Sequence, residues 1–299
     1  MWQQLLDNIR QGDIKAISRA ITMVENAQPG HEELLRSLSL NSNSTVIGVT
    51  GPPGAGKSTL VDGLIGKLTD EEKKIAVLCV DPSSPFNHGA LLGDRIRMSE
   101  WYTHPKVFIR SLATRGAVGG LSPKIIEITD LLKAGNFDFI IIETVGVGQS
   151  EIEIAGLADV TIVVVVPEAG DEVQTMKAGL MEIADIFVVN KSDRPDADIF
   201  VKNLGQMLAP AFSNHGQEVQ VIKTVASEKK GLDDLVKAIN GFLSEEKQNE
   251  RRDWLLTEKA WQLLADKRMR NIDRNQLLKT LRSEKDKPGF NLYSFIESL

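Results

Sequence analysis

Residues Gly51-Pro52-Pro53-Gly54-Ala55-Gly56-Lys57-Ser58 have the types and spacing of a phosphate-binding loop. The pattern G-x-x-x-x-G-K-S follows an apolar run, Thr45-Val46-Ile47-Gly48-Val49-Thr50, and precedes Thr59-Leu60-Val61, which can open a helix. Strand, glycine-rich turn and helix N-terminus in that order aim backbone N–H groups and the positive end of the helix dipole at one anion. Lys57 is expected to reach the β- and γ-phosphates of a nucleotide, and the Ser58 hydroxyl to sit on Mg²⁺. The competing reading, a turn that merely links strand to helix, leaves the Lys57-Ser58 pair unexplained.

A second signal, Asn190-Lys191-Ser192-Asp193, ends the apolar run Ile186–Val189. The Asp193 carboxylate can accept from both N1–H and the exocyclic amine of guanine. Asn190 would read the other edge, and the stem of Lys191 would lie over the base. Adenine lacks both donors, so it would leave Asp193 desolvated at a cost of ~1–3 kcal/mol or more. The alternative is a surface turn in which Ser192 or Asp193 caps a helix. Val225, Ala226 and Ser227 follow the last apolar run and are expected to offer backbone groups to the base, though in isolation they read only as a strand-to-helix connection.

Glu143-Thr144-Val145-Gly146 follows Phe139–Ile142. In the D-x-x-G pattern of many GTPases an acid orients a Mg²⁺-bound water and the glycine N–H meets the γ-phosphate. Here Glu143 takes the acid's place with one extra methylene, and Gly146 supplies the N–H. Gln149 stands three residues past Gly146, open to a water-orienting role or to an interface role. Asp81, ending the run Ile75–Val80, and Asp94, within Gly93–Met98, are candidates for the metal site; turn and helix-cap roles are the alternatives.

These residues need a scaffold, and the chain supplies one. Short β-branched runs at Thr45–Val49, Ile75–Val80, Val107–Ile109, Phe139–Ile142, Val160–Val166, Ile186–Val189 and Glu218–Ile222 alternate with helical patterns. Continuous apolar strands separated by helices imply an α/β fold, a mostly parallel sheet covered on both faces, with ligands beyond the carboxyl ends of the strands. Every motif above falls at such an end. Residues 1–44 read as an N-terminal helical extension, with Ile14, Ile17, Ile21 and Val24 at helical spacing. Residues 45–243 form the nucleotide domain. Residues 244–299 are a charged helical arm with Trp254 and Trp261 on its apolar face, covered either by the parent domain or by a second subunit.

Composition narrows the class. The 299 residues suffice for one large domain with appendages, and a net charge of −6 argues against non-specific nucleic-acid binding. The N-terminus lacks the basic and apolar regions of a secretory leader. The run Val160–Val166 is far too short to span a membrane. With Cys79 the single cysteine, a cytoplasmic protein with no membrane or nucleic-acid partner is expected.

Taken together, Gln11-Gly12-Asp13, Arg19–Glu25, the phosphate loop, Asp81–Phe86, Gly93–Met98, Ala113–Gly116, Glu143–Gln149 and Asn190–Asp193 resemble the MeaB/ArgK family of G proteins (MMAA in humans). Ala113–Gly116 and Glu143–Gln149 are more specific to it than the phosphate loop. The similarity runs from about residue 8 to about residue 245, and Asn291–Tyr293 resembles the family's end. Asn87-His88, and Val225 where serine is more common, depart from it. The resemblance implies a P-loop NTPase of the SIMIBI type that binds GTP/GDP and Mg²⁺. It also implies a chaperone of an adenosylcobalamin-dependent methylmalonyl-CoA mutase, gating cofactor loading and protecting or reactivating the mutase. Asp171, Gln174 and Lys177 match the family's additional switch segment, which couples nucleotide state to the mutase; an ordinary helix start is the alternative. Dimerisation through the C-terminal helices is implied as well.

Rival expectations are a phosphotransferase of the type once attached to amino-acid transport and a metal-delivery GTPase. The guanine motif opposes ATP as donor, and four scattered histidines with one cysteine oppose a metal cluster. Arg95, Arg97 and Arg115 are candidates for an arginine finger, none decisive.

Overall fold

A computed structural model describes residues 2–39, 43–81, 98–113, 122–144, 150–167, 178–215, 219–244, 250–269, 272–287 and 289–297. All seven apolar runs form strands: β1 Thr45–Thr50, β2 Ile75–Asp81, β3 Val107–Ala113, β4 Phe139–Glu143, β5 Val160–Val165, β6 Ile186–Val189 and β7 Gln220–Lys223. They make one seven-stranded sheet in the order β3-β2-β4-β1-β5-β6-β7, every pairing parallel. Register places Val49 beside Glu143 and Thr50 beside Val163, so the ends of β1 and β4 reach the same level. Carboxylates fix the opposite end of the sheet. The Val46 N–H donates to Asp159 Oδ2 at 2.8 Å and the Thr161 N–H to Asp185 Oδ2 at 2.8 Å.

Alternation divides the strands between two cores. Ile47, Val49, Ile162 and Val164 pack with Leu60, Val61, Leu64, Ile65 and Leu68 of the helix Lys57–Asp70 and with Leu232, Leu235 and Ile239 of the helix Leu232–Leu243. On the other face Val163, Val165, Phe187 and Val189 pack with Ala155, Leu180, Ile183, Phe200, Leu204 and Leu208. Each such side chain contributes ~1.5–3 kcal/mol against conformational entropy. One polar group intrudes: the Thr161 hydroxyl is buried with no hydrogen-bond partner among the described residues. Thr161→Val is therefore expected to raise the melting temperature, with a gain of about 1 kcal/mol. A lowered melting temperature would show that the hydroxyl is satisfied.

Most strands differ at their ends by a residue or two from the sequence reading, and β3 by more. β3 runs on to Ala113 although Arg110 and Ser111 interrupt its apolar run, because pairing with β2 continues from Ile75↔Val107 to Asp81↔Ala113. Arg110 is accommodated by the N-terminal helix Ile14–Glu25: its Nη2 donates to Glu25 Oε2 at 3.0 Å and Thr22 Oγ1 at 3.2 Å. That helix buries Ile17, Ile21 and Val24, and an unanticipated helix, Trp2–Arg10, buries Leu6 and Ile9. Ile14, expected on the apolar face, is 41% exposed.

The chain divides into two compact units, Met1–Arg252 and Asp253–Leu299, so the N-terminal helices belong to the first. Within the second, most of the helix Glu250–Met269 is followed by the separate helices Arg274–Glu284 and Leu292–Glu297. Asp273 starts the middle one by accepting from the Asn275 N–H at 2.8 Å. Trp254 and Trp261 are exposed. No helix among the described residues is long and apolar enough to cross a membrane.

Candidate active site

The phosphate loop connects β1 to the helix beginning at Lys57. Gly51 has φ +138, and a Cβ there would stand 2.1 Å from the Val164 carbonyl oxygen. Gly56 has φ +89, and its Cβ would meet Asn190 Nδ2 at 2.4 Å. Glycine is thus required at both ends of the loop. Lys57 curls back over it: Nζ donates to Gly51 O at 2.8 Å and Pro52 O at 3.0 Å. A cavity of about 420 Å³ opens beside the loop, lined by Pro53, Gly54, Gly56, Lys57, Ser58, Thr59, Val80, Glu143, Thr144 and Lys191. Its size falls in the range of small-ligand sites. Within the loop, Ala55 is buried.

At one end of this cavity the Ser58 hydroxyl donates to Glu143 Oε1 at 2.7 Å, both residues being buried. A hydroxyl and a carboxylate side by side are hard oxygen donors of the kind Mg²⁺ prefers, with nucleotide phosphates and water completing its shell. The Glu143 carboxylate reaches Ser58 from the last position of β4. No cluster of three or more His, Cys, Asp or Glu suited to a metal occurs among the described residues. Asp81 closes β2 in register with Ala113, at the carboxyl end of the sheet, and only its backbone is described. Asp94 and Gly146 lie outside the described residues, as do Asp171, Gln174, Lys177, Gln149, Arg95, Arg97 and Arg115.

Asn190, buried next to the cavity-lining Lys191, acts as a tie between loops. Its Nδ2 donates to Ala55 O at 2.9 Å, while Oδ1 accepts from Thr224 Oγ1 at 3.1 Å and from the Ala226 N–H at 3.0 Å. The side chain expected to read the base edge also binds the phosphate loop to the loop after β7. Lys191 stands at φ +55, and its Nζ donates to Gly54 O at 2.8 Å, stretching its stem between the two motifs. Asp193 is exposed, and the next helix begins only at Ala197, which sets the helix-cap reading of Asp193 aside. Val225 forms a bridge with Lys230, so its N–H is engaged, and the Ala226 N–H is spent on Asn190; Ser227 is exposed. Gly231, at φ +79, permits the return of the chain, since a Cβ would lie 2.1 Å from Lys223 O.

The structure thus brings Gly51–Thr59, Glu143, Asn190, Lys191 and Ala226 to one end of the sheet. Sequence reasoning missed Thr50, Thr144 and Thr224, whose hydroxyls fasten neighbouring loops. Their only signal was a threonine at the last position of a strand or directly after it.

A family model described as methylmalonyl Co-A mutase-associated GTPase MeaB matches residues 17–285. The chain belongs to the MeaB family. A protein of Pyrococcus abyssi that carries a provisional GTPase name is 47% identical over 239 residues, covering 79% of this chain and 74% of that one. GTPase ArgK of Escherichia coli K12 is 36% identical over 265 residues, covering 83% and 80%. Among solved structures, one described as a LAO/AO transport system kinase superposes with a TM-score of 0.70 at 28% identity, covering 96% of this chain and 93% of that one. The fold is that of P-loop GTPases, and this MeaB-family chain is a GTPase.

Proposed function

We propose that this MeaB-family GTPase hydrolyses GTP to GDP and phosphate, and uses that cycle to gate cofactor loading of an adenosylcobalamin-dependent methylmalonyl-CoA mutase and to protect or reactivate it. The observation that carries the nucleotide half is Asn190, whose three hydrogen bonds join the phosphate loop to the guanine-side loops as one site. The mutase half rests on the family's description as mutase-associated. A Caenorhabditis briggsae relative supports it. That protein is named methylmalonic aciduria type A homolog and is 36% identical over 207 residues, covering 64% of this chain and 50% of that one.

In this reading the loop amides and Lys57 hold the β- and γ-phosphates and offset charge on the bridging and γ oxygens as the bond to the γ-phosphorus breaks. Ser58 and Glu143 would hold Mg²⁺, with Asp81 and Asp94 beside them, and the ion would neutralise phosphate charge. Gly146 would offer its N–H to the γ-phosphate. Asn190, Lys191, Asp193 and the loop Val225–Ser227 would hold guanine. Asp171, Gln174 and Lys177 would report nucleotide state to the mutase. The described residues around the cavity include no arginine. With none of Arg95, Arg97 and Arg115 decisive as an arginine finger, turnover by the chain alone is expected to be slow, and a partner that orders the site to accelerate it. Exposed Trp254 and Trp261 suit a homodimer contact. The buried cysteine Cys79 suits the reducing cytoplasm.

The test is GTP hydrolysis measured alone and with purified apo- and holo-mutase. Acceleration and a GTP-dependent complex are expected. Absence of both would remove the chaperone role while leaving the GTPase. Phosphate transfer to an acceptor other than water would favour the phosphotransferase alternative.

A further inference from the structure

Two consecutive residues at the tip of β4 hold the two ends of the phosphate loop. Glu143 accepts from Ser58, just past the loop, at 2.7 Å. Thr144 Oγ1 donates to Thr50 Oγ1, just before Gly51, at 2.8 Å. The Thr144 N–H extends the ladder by donating to Val49 O at 3.0 Å. Strand alternation puts the two side-chain ties on opposite faces of the sheet. Thr50 and Thr144 are 0% and 2% exposed, and neither hydroxyl makes another hydrogen bond to a described residue. A buried hydroxyl pair with no further partners is a costly way to fill space that two methyl groups would fill as well.

A metal ion on Ser58 competes for the oxygens that form the Ser58–Glu143 bond, so that tie must be shared or released when the ion arrives. The Thr50–Thr144 pair does not face that competition. We propose that the Thr50–Thr144 pair is a positioning device for Mg²⁺. It keeps the β4 tip beside the phosphate loop, so that Glu143 stays within reach of the ion once its bond to Ser58 is given up. The inference rests on the GTPase reading of the same site.

The experiment uses the full chain as wild type, Thr144→Val, Thr144→Ser and the double variant Thr50→Val/Thr144→Val. Three quantities are read: the Mg²⁺ concentration that half-maximally slows release of a fluorescent GDP analogue, affinity for that analogue in EDTA, and melting temperature. Thr144→Val strands the Thr50 hydroxyl and should melt lower, whereas the double variant removes both partners and should regain the loss. Both are expected to raise the Mg²⁺ midpoint about five- to tenfold beyond any change in metal-free affinity, and Thr144→Ser to restore it. A double variant with wild-type melting and a wild-type Mg²⁺ midpoint would overturn the proposal. Wild-type chain that binds no guanine nucleotide with Mg²⁺ would instead sink the reading of the site itself, and this inference with it.

Discussion

Lys57→Ala is expected to lower the rate of GTP hydrolysis by about 10²–10³-fold or more, with little change in fold. The reason lies in what the ammonium touches. Its described partners are the Gly51 and Pro52 carbonyls across the loop, at 2.8 and 3.0 Å, and Lys57 is only 7% exposed. A cation held beside the loop is placed to meet charge that develops on the β–γ bridge and γ oxygens, and a site shielded from water makes that charge count for more. Lys57→Arg should not rescue, because a planar fork cannot occupy a position built for a compact ammonium. Single-turnover hydrolysis, with melting measured in parallel, provides the check. A well-folded Lys57→Ala chain that turns over near the wild-type rate would show that the cavity beside this loop is not where the γ-phosphate reacts.

Asp193→Asn is expected to weaken GTP about 10²-fold and to favour XTP. In the proposed site the carboxylate would accept two charge-assisted hydrogen bonds from guanine, each worth roughly 1.5–3 kcal/mol, and about 1.4 kcal/mol corresponds to a factor of ten. An asparagine amide offers one acceptor and then sets its own N–H against the exocyclic amine of guanine. Xanthine carries a carbonyl at that position, so the same N–H becomes a partner. Because Asp193 is exposed and begins no helix, its replacement should leave the fold intact. Competition of GTP and XTP against a labelled GDP on both chains reads the effect directly. Unchanged selectivity would move guanine recognition elsewhere.

The sheet was legible because parallel strands buried on both faces are apolar throughout, as in β5, where all six residues are buried. The phosphate loop was legible because its glycines answer local demands: Gly51 and Gly56 have backbone angles and neighbours that exclude a side chain. Helix and strand ends that depend on distant partners were less so. Nothing local reveals that Arg110 continues a strand, since its reason for being there is Glu25, in a helix packed from another part of the chain. Asn190 was recognised as part of the site, but its role as a tie between loops was not. Its pairing with Ala55 joins residues 135 positions apart, which the fold alone brings together. Thr50 and Thr144, 94 positions apart, went unnoticed for the same reason. Motifs report which ligand a loop accepts; the ties that hold loops to one another appear only once the strands are in order.

The central claim is that one cavity binds guanine nucleotides through a phosphate loop and the Asn190–Asp193 loop acting together. Displacement of a labelled GDP from the wild-type chain in Mg²⁺, with GTP and ATP as competitors, tests it most directly. GTP is expected to displace the label at concentrations about 10²-fold or more below those of ATP, because adenine leaves Asp193 without donors. Equal displacement by the two nucleotides would contradict it.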